Sequence, residues 1–281
     1  MPEGVKLGDK FNILAFADDV AILAERKRDL NRLVEAFLVE AAKVGLQVNE
    51  DKTQYMKISR RMEQEGEKLE VLNHDFKATK EFKYLGVTIT HDNREEVEVQ
   101  CRLAAADRTY WSLAKLLKSK LLIRKVKLRI YKTMILPVLM YGSEVWALTK
   151  KSQKKLITFE NKILRRIFGP VQEGDIWRIR KNRELREIYQ DPDVIALIRS
   201  KRMRWMGHVA RRGKDKMIKK VWRGEPEGVR PLGRPRMRWR DQVEKDLRTI
   251  GATLEVAQDR GSWRDIVGEV KNHLGFEWRQ E

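Results

Sequence analysis

The sequence predicts an α+β chain, with short strands gathered into about the first 95 residues and helices filling most of the rest. Two apolar runs, Ile13-Leu14-Ala15 and Val20-Ala21-Ile22-Leu23, flank Phe16-Ala17-Asp18-Asp19, which is the pattern of a hairpin whose turn projects two carboxylates. The period then changes. Leu30, Leu33, Val34, Phe37, Leu38 and Ala41 fall at helical spacing and form one apolar face, which Gly45 ends. Beyond residue 95 helical spacing dominates.

Taken in order, the charged residues of the first helix (Arg26, Lys27, Arg28, Arg32, Glu35, Glu40) lie mainly opposite its apolar face and read as solvated. Leu46 and Val48 alternate before a polar turn, Asn49-Glu50-Asp51-Lys52, and a strand is expected from Thr53 to Ile58. Phe82-Lys83-Tyr84-Leu85-Gly86-Val87-Thr88-Ile89 is β-branched and aromatic around a glycine that lets another backbone come close. Leu103, Tyr110, Leu113, Leu117 and Leu121 predict one helix and Val126 to Leu136 another, with Pro137 interrupting. Leu156, Phe159, Ile163, Leu164 and Ile167 give an amphipathic helix ending near Gly169-Pro170. Residues 224–235, rich in Gly and Pro, read as an irregular strap. Trp239, Val243, Leu247 and Ile250 share a helical face, so Trp239 is read as a core anchor in a short cap, followed by a polar tail to Glu281.

Composition bounds the function. With 42% apolar residues and eight Trp in 281, the chain has folded cores. Its net charge of +19 is uneven: residues 1–150 carry +5 and residues 151–281 carry +14. The stretch 199–240 alone holds 16 basic and 3 acidic side chains, a density that attracts a polyanion, nucleic acid before an anionic membrane surface. No run of 18 apolar residues exists and the N-terminus lacks an apolar leader core, so an intracellular protein, nuclear or cytoplasmic, is expected. The one cysteine, Cys101, excludes an internal disulfide and a cysteine-rich zinc site, and is expected to be buried.

Two adjacent carboxylates repel, and placing them on one turn is the chemistry of a divalent-cation site in a Mg²⁺-dependent nucleotidyl transferase. An Asp-rich turn with no ion is the alternative reading of the same residues. Lys52, one helix and one turn further on, suits neutralisation of a triphosphate or protonation of departing pyrophosphate. A solvated turn lysine is its plainer reading. In the basic region, Lys201, Arg202, Arg204, Arg211 and Arg212 surround Trp205, and Arg234, Arg236, Arg238 and Arg240 surround Trp239. Arginine supplies bidentate phosphate contacts, and these nine cations are the candidate nucleic-acid contacts.

The order Phe-Ala-Asp-Asp, amphipathic helix, Gly-Leu-Gln-Val-Asn-Glu-Asp-Lys-Thr (45–53), then Phe-Lys-Tyr-Leu-Gly (82–86) resembles the C-terminal part of reverse transcriptases of non-LTR (LINE-type) retrotransposons. The segment Tyr141-Gly142-Ser143-Glu144-Val145-Trp146 and both basic segments extend the resemblance over nearly the whole chain. The resemblance implies a partial palm over 1–95, a helical thumb over 96–170 and a basic helical tail over 171–281. It implies that Asp18 and Asp19 bind the catalytic metals, that Lys52 assists pyrophosphate release, and that Phe82, Lys83, Tyr84, Leu85 and Gly86 form the primer grip. It further implies RNA template, DNA primer or target DNA, and deoxynucleoside triphosphate as partners, with Mg²⁺ or Mn²⁺ as cofactor.

The chain also departs from that family. A further metal-binding aspartate and the fingers lie upstream in reverse transcriptases, and only 17 residues precede Asp18 here, with Glu3 and Asp9 the only acids among them. The expectation is therefore a fragment with weakly bound metal, inactive alone, and with palm edges open to self-association. Without the required cysteines, a zinc knuckle with a downstream nuclease is not expected. A non-catalytic nucleic-acid-binding protein and a degenerate retroelement remnant are the two other classes that fit.

Overall fold

The structure, a computed structural model, describes residues 5–6, 10–11, 13–58, 68–224, 237–273 and 275. It divides into two compact units, one of Met1–Glu98 with Arg212–Gly233, the other of Val99–Arg211 with Arg234–Glu281.

The first unit is built of small sheets and one long helix. Strands β1 (Val5–Lys6) and β2 (Lys10–Phe11) pair antiparallel, as do β3 (Ile13–Phe16) and β4 (Asp19–Ile22). Helix α1 (Lys27–Lys43) follows, and Gly45 sits at φ 75° where the chain must turn left-handed to leave the helix. Strand β5 (Gln54–Tyr55) runs parallel to β7 (His74–Ala78), which pairs antiparallel with β6 (Lys68–Val71), giving the order β5-β7-β6. The apolar stripe read from the sequence packs Val34 and Leu38 onto Tyr55, Leu69, Val71 and Phe76 of this sheet. That burial holds α1 in place; Asp29 is the polar residue drawn in with it. The strand expected over 53–58 is only two residues long, since Thr53 is tied back into the preceding turn by bonds to the Asn49 carbonyl. A second hairpin, β8 (Glu81–Tyr84) and β9 (Val87–Thr90), ends the strand-rich part.

The second unit is helical apart from one hairpin. Helix α2 (Glu95–Ser112) begins in the first unit, and α3 (Ala114–Lys118) follows it. One helix through Leu121 was expected; the chain breaks after Ser112, and Leu121 is exposed. Helix α4 (Arg124–Ile130) passes through a π-turn, Tyr131–Ile135, into α5 (Leu136–Leu139), where Pro137 lies in the first turn. The proline does not end the helix as expected: the widened turn takes up the missing N–H and the bulk of the ring. Helix α6 (Lys150–Phe168), capped by the Thr149 hydroxyl accepting from Ser152 N, lies at the centre of a core that includes Tyr110, Tyr131, Ile135, Leu156, Ile163 and Leu164.

Strands β10 (Val171–Glu173) and β11 (Ile176–Arg178), α7 (Asn182–Tyr189) and α8 (Val194–Ala210) add Leu185, Tyr189, Val194, Ile195 and Ile198 to the same core, which continues through residue 170 without a break. At its centre Glu160 accepts from Tyr131 Oη (3.0 Å), Arg186 Nη2 (2.6 Å) and Val194 N (3.3 Å). Burial raises the Glu160 carboxyl above the ordinary range despite Arg186, and pushes the Tyr131 phenol up as well. Helix α9 (Met217–Arg223) belongs to the first unit. Helix α10 (Trp239–Thr249) carries the expected apolar face, with Val243 and Leu247 buried and Trp239 Nε1 donating to the Glu144 carbonyl at 2.8 Å.

The polar tail expected after α10 is instead a helix. Helix α11 (Arg260–His273) buries Trp263 and Val270 against α8, where Gly207 leaves room for the indole and Trp263 Nε1 donates to the Met203 carbonyl at 2.9 Å. Cys101 is exposed rather than buried, because α2 turns that position to solvent. The strap expected over 224–235 lies outside the described residues, except for Gly224.

Candidate functional site

The acidic pair stands on a two-residue hairpin loop. Phe16 pairs with Asp19, which leaves Ala17 and Asp18 to close the turn, and Ala17 takes φ 48°, the left-handed backbone that such tight hairpins need. Asp18 and Asp19 are both exposed. Strands β3 and β4 thus carry two consecutive, exposed acidic residues at the tip of a short ribbon.

The segment Phe82–Gly86 is also a hairpin. Tyr84 pairs with Val87, and Leu85 (φ 47°) and Gly86 (φ 80°) form a turn left-handed at both positions. Phe82 and Tyr84, two residues apart and so on one face, stack at 6.3 Å. Tyr84 Oη donates to the Leu14 carbonyl of β3 at 3.4 Å, which ties this hairpin to the acidic one within the first unit. Lys83 and Leu85 face solvent. Lys52 is exposed at the end of its turn, where its backbone N–H donates to Asn49 Oδ1 at 3.1 Å; its described hydrogen bond stays within the turn.

The basic residues separate sharply. Arg202 is 1% exposed: its guanidinium donates to the Trp146 carbonyl (2.6 Å) and to Asp246 Oδ2. Charge density had grouped it with the surface cations, and its burial corrects that, since no polyanion reaches it. Lys201 donates to the Met140 carbonyl (2.8 Å) and reaches Glu144 Oε2 (3.5 Å), while Arg211 donates to the Ala257 carbonyl (2.8 Å). Both are half-buried struts of the second unit. Arg204, Arg238 and Arg240 of that unit are exposed, Arg240 pairing with Glu244 one turn along, and Arg212 is exposed in the first. Arg234 and Arg236 lie outside the described residues.

Mg²⁺ is commonly held by one or two carboxylates together with substrate phosphates and waters. Asp18 and Asp19 fit that role beside a triphosphate, but the described residues hold no group of three His, Cys, Asp or Glu side chains able to cage an ion without one.

One cationic feature escaped the sequence reading. Between α2 and α6 the second unit has a groove of about 560 Å³ whose lining is mostly apolar, with Leu103, Ala104 and Phe159 among it, and which Lys151, Lys154, Lys155 and Lys162 of α6 also line. Its signal is in the sequence, four lysines at i, i+3, i+4 and i+11 of one helix, but the charge density over longer stretches is higher further along the chain.

Comparison with known proteins agrees with the strand-rich part. Residues 3–89 match the family model described as reverse transcriptase (RNA-dependent DNA polymerase). That span contains Asp18, Asp19, Lys52 and Phe82–Gly86. A transposon-derived protein of Caenorhabditis elegans is 26% identical over 274 residues, covering 92% of this chain and 96% of that protein. No solved structure matches. Among the described residues, no helix is long and apolar enough to cross a membrane.

Proposed function

We propose that this chain is a retrotransposon-derived protein related to RNA-directed DNA polymerases of the non-LTR kind, and that its own work is to hold a template–primer end. The reading is supported above all by the bond from Tyr84 to the Leu14 carbonyl, which joins the acidic hairpin to the aromatic one inside the stretch similar to reverse transcriptases. In this reading Asp18 and Asp19 hold Mg²⁺ in company with the phosphates of an incoming nucleotide, and Lys52 neutralises the triphosphate. When bound, the metal would supply activation of the primer hydroxyl and charge stabilisation at the phosphate. Phe82 and Tyr84 offer a stacked aromatic face to the primer end, with Lys83 beside it for the backbone. Arg212 in the first unit and, separately, Arg204 and Arg238 in the second are exposed cations open to a polyanion.

Two adjacent carboxylates make a weak ion site, so synthesis by this chain calls for a further acidic donor, whereas binding does not. Primer extension on an RNA template with a DNA primer, in Mg²⁺ and then Mn²⁺, beside an Asp18→Ala/Asp19→Ala variant, tests the division. The expected result is salt-dependent binding of the template–primer with no extension above the variant's background. Extension that vanishes in the variant would overturn the binding-only assignment and make this a working reverse transcriptase. A log K that does not change with log[salt] would sink the nucleic-acid reading itself.

A further inference from the structure

The groove between α2 and α6 lies within the second unit, and its lining includes no residue of the acidic or the aromatic hairpin. Its lysine wall runs from Lys151 to Lys162, about 16 Å at 1.5 Å per residue, long enough for several phosphates. Asp107 on the opposite wall pairs with Lys162 at 2.6 Å, and among the described residues Lys151, Lys154 and Lys155 have no acidic partner. These three also crowd the first two turns of α6, where the helix dipole is positive and cations are least at home. A bound polyanion removes that repulsion.

A row of cations alone does not choose between a nucleic acid and an acidic polypeptide. Trp111 does. One turn beyond Asp107 on α2, this residue is 57% exposed, yet its indole is fixed: Nε1 donates to Asp107 Oδ2 at 3.1 Å and Lys162 Nζ sits 5.1 Å from the ring centre. A held, exposed indole beside a cationic groove is a stacking platform, which an unpaired base uses and a carboxylate side chain does not.

We propose that this groove seats a single-stranded stretch of RNA or DNA, its phosphates along Lys151, Lys154 and Lys155 and one base on Trp111. The inference rests on the nucleic-acid reading above and adds to it a second, separately located contact. Anisotropy of a labelled single-stranded oligonucleotide and of its duplex, over a salt series, tests it with Lys151→Gln/Lys154→Gln/Lys155→Gln, Trp111→Ala and a control, Lys115→Gln/Lys118→Gln/Lys120→Gln. Losing three single-strand contacts lowers the slope of log K against log[salt] by about 2. Trp111→Ala weakens single-strand binding by about 5- to 150-fold and leaves the duplex unaffected.

If the wild type binds and the groove variant keeps its slope, or the control variant loses as much, the groove assignment falls while the polymerase reading stands. Polyglutamate that displaces the probe as well as unlabelled oligonucleotide does would make this an acidic-protein groove and overturn the proposal. No salt-dependent binding by the wild type overturns both readings together.

Discussion

Arg202 and Arg204 are two residues apart on α8, and the fold assigns them opposite duties, which a pair of variants separates. Arg202 is inside, bonded to Asp246, and Asp246 in turn accepts from Gln242 Nε2 at 3.1 Å and lies 3.8 Å from Arg199 Nε. Removing the carboxylate by Asp246→Ala leaves a guanidinium in the interior without its counter-charge, a loss of about 3–5 kcal/mol. For a unit of this size each kcal/mol moves Tm by about 2–4 °C, so a drop of roughly 6–20 °C is expected. Replacing both charges, Arg202→Met/Asp246→Leu, removes the uncompensated charge as well and is expected to be neutral or stabilising by about 1–4 kcal/mol. Urea unfolding followed by tryptophan fluorescence reads this, since most of the tryptophans lie in the second unit. The same double variant keeps its nucleic-acid salt slope, whereas Arg204→Ala lowers it by about 0.7 with stability unchanged. A loss below about 1 kcal/mol in Asp246→Ala, or a lower salt slope in the double variant, would refute the assignment of Arg202 to the core.

Three further outcomes are expected. A Cβ at position 207 would lie 2.2 Å from Trp263 Nε1, so Gly207→Ala should destabilise by about 1–3 kcal/mol and speed amide exchange along α11; unchanged exchange would count against that packing. The Glu184 carboxyl is held down to about 2, chiefly by the hydrogen bonds from Arg178, against 4.5 ordinarily. Its folded value is depressed, so its contribution is present above 4.5 and lost as pH falls toward about 2; acid titration of Glu184→Gln should show a flatter limb in that window. Asp18→Ala/Asp19→Ala, on an exposed turn, should change stability by no more than about 0.5 kcal/mol while abolishing Mn²⁺-induced NMR broadening near residue 18 in the presence of nucleotide.

How much of this was legible follows from which interactions are local. The α1 stripe, the α6 stripe, both hairpins and the Trp239 face repeat at fixed spacing, and spacing is visible in a sequence. The course past Pro137 was not, because a π-turn is a compromise between the ring of that proline and the buried Tyr131 and Ile135, which only the packed core fixes. Helix α11 was missed because its apolar residues are sparse: Trp263 and Val270 suffice when Gly207 opens a slot for the indole, and that pairing joins positions 56 residues apart. At the site, the acidic pair and the aromatic segment were readable as motifs, while the Tyr84 bond that links them spans 70 residues and was not.

The basic region shows why counting charge misplaces a binding surface. Arginines at 165, 178, 186, 202 and 211 are bound to carboxylates, amide oxygens or backbone carbonyls of the second unit, so much of its positive charge serves to bind the fold together. What reaches a ligand is the remainder that is both exposed and unmatched by a nearby carboxylate. On α6 that remainder is concentrated, because exposed Lys151 and Lys154 and half-buried Lys155 share one face and the only acidic residue of that helix, Glu160, is buried with Arg186 on another. Density per stretch of sequence points to residues 199–240; cations without a carboxylate partner that share one helix face point to α6. The salt slopes of the α6 lysine variant and of Arg204→Ala, measured side by side, compare those two rankings directly.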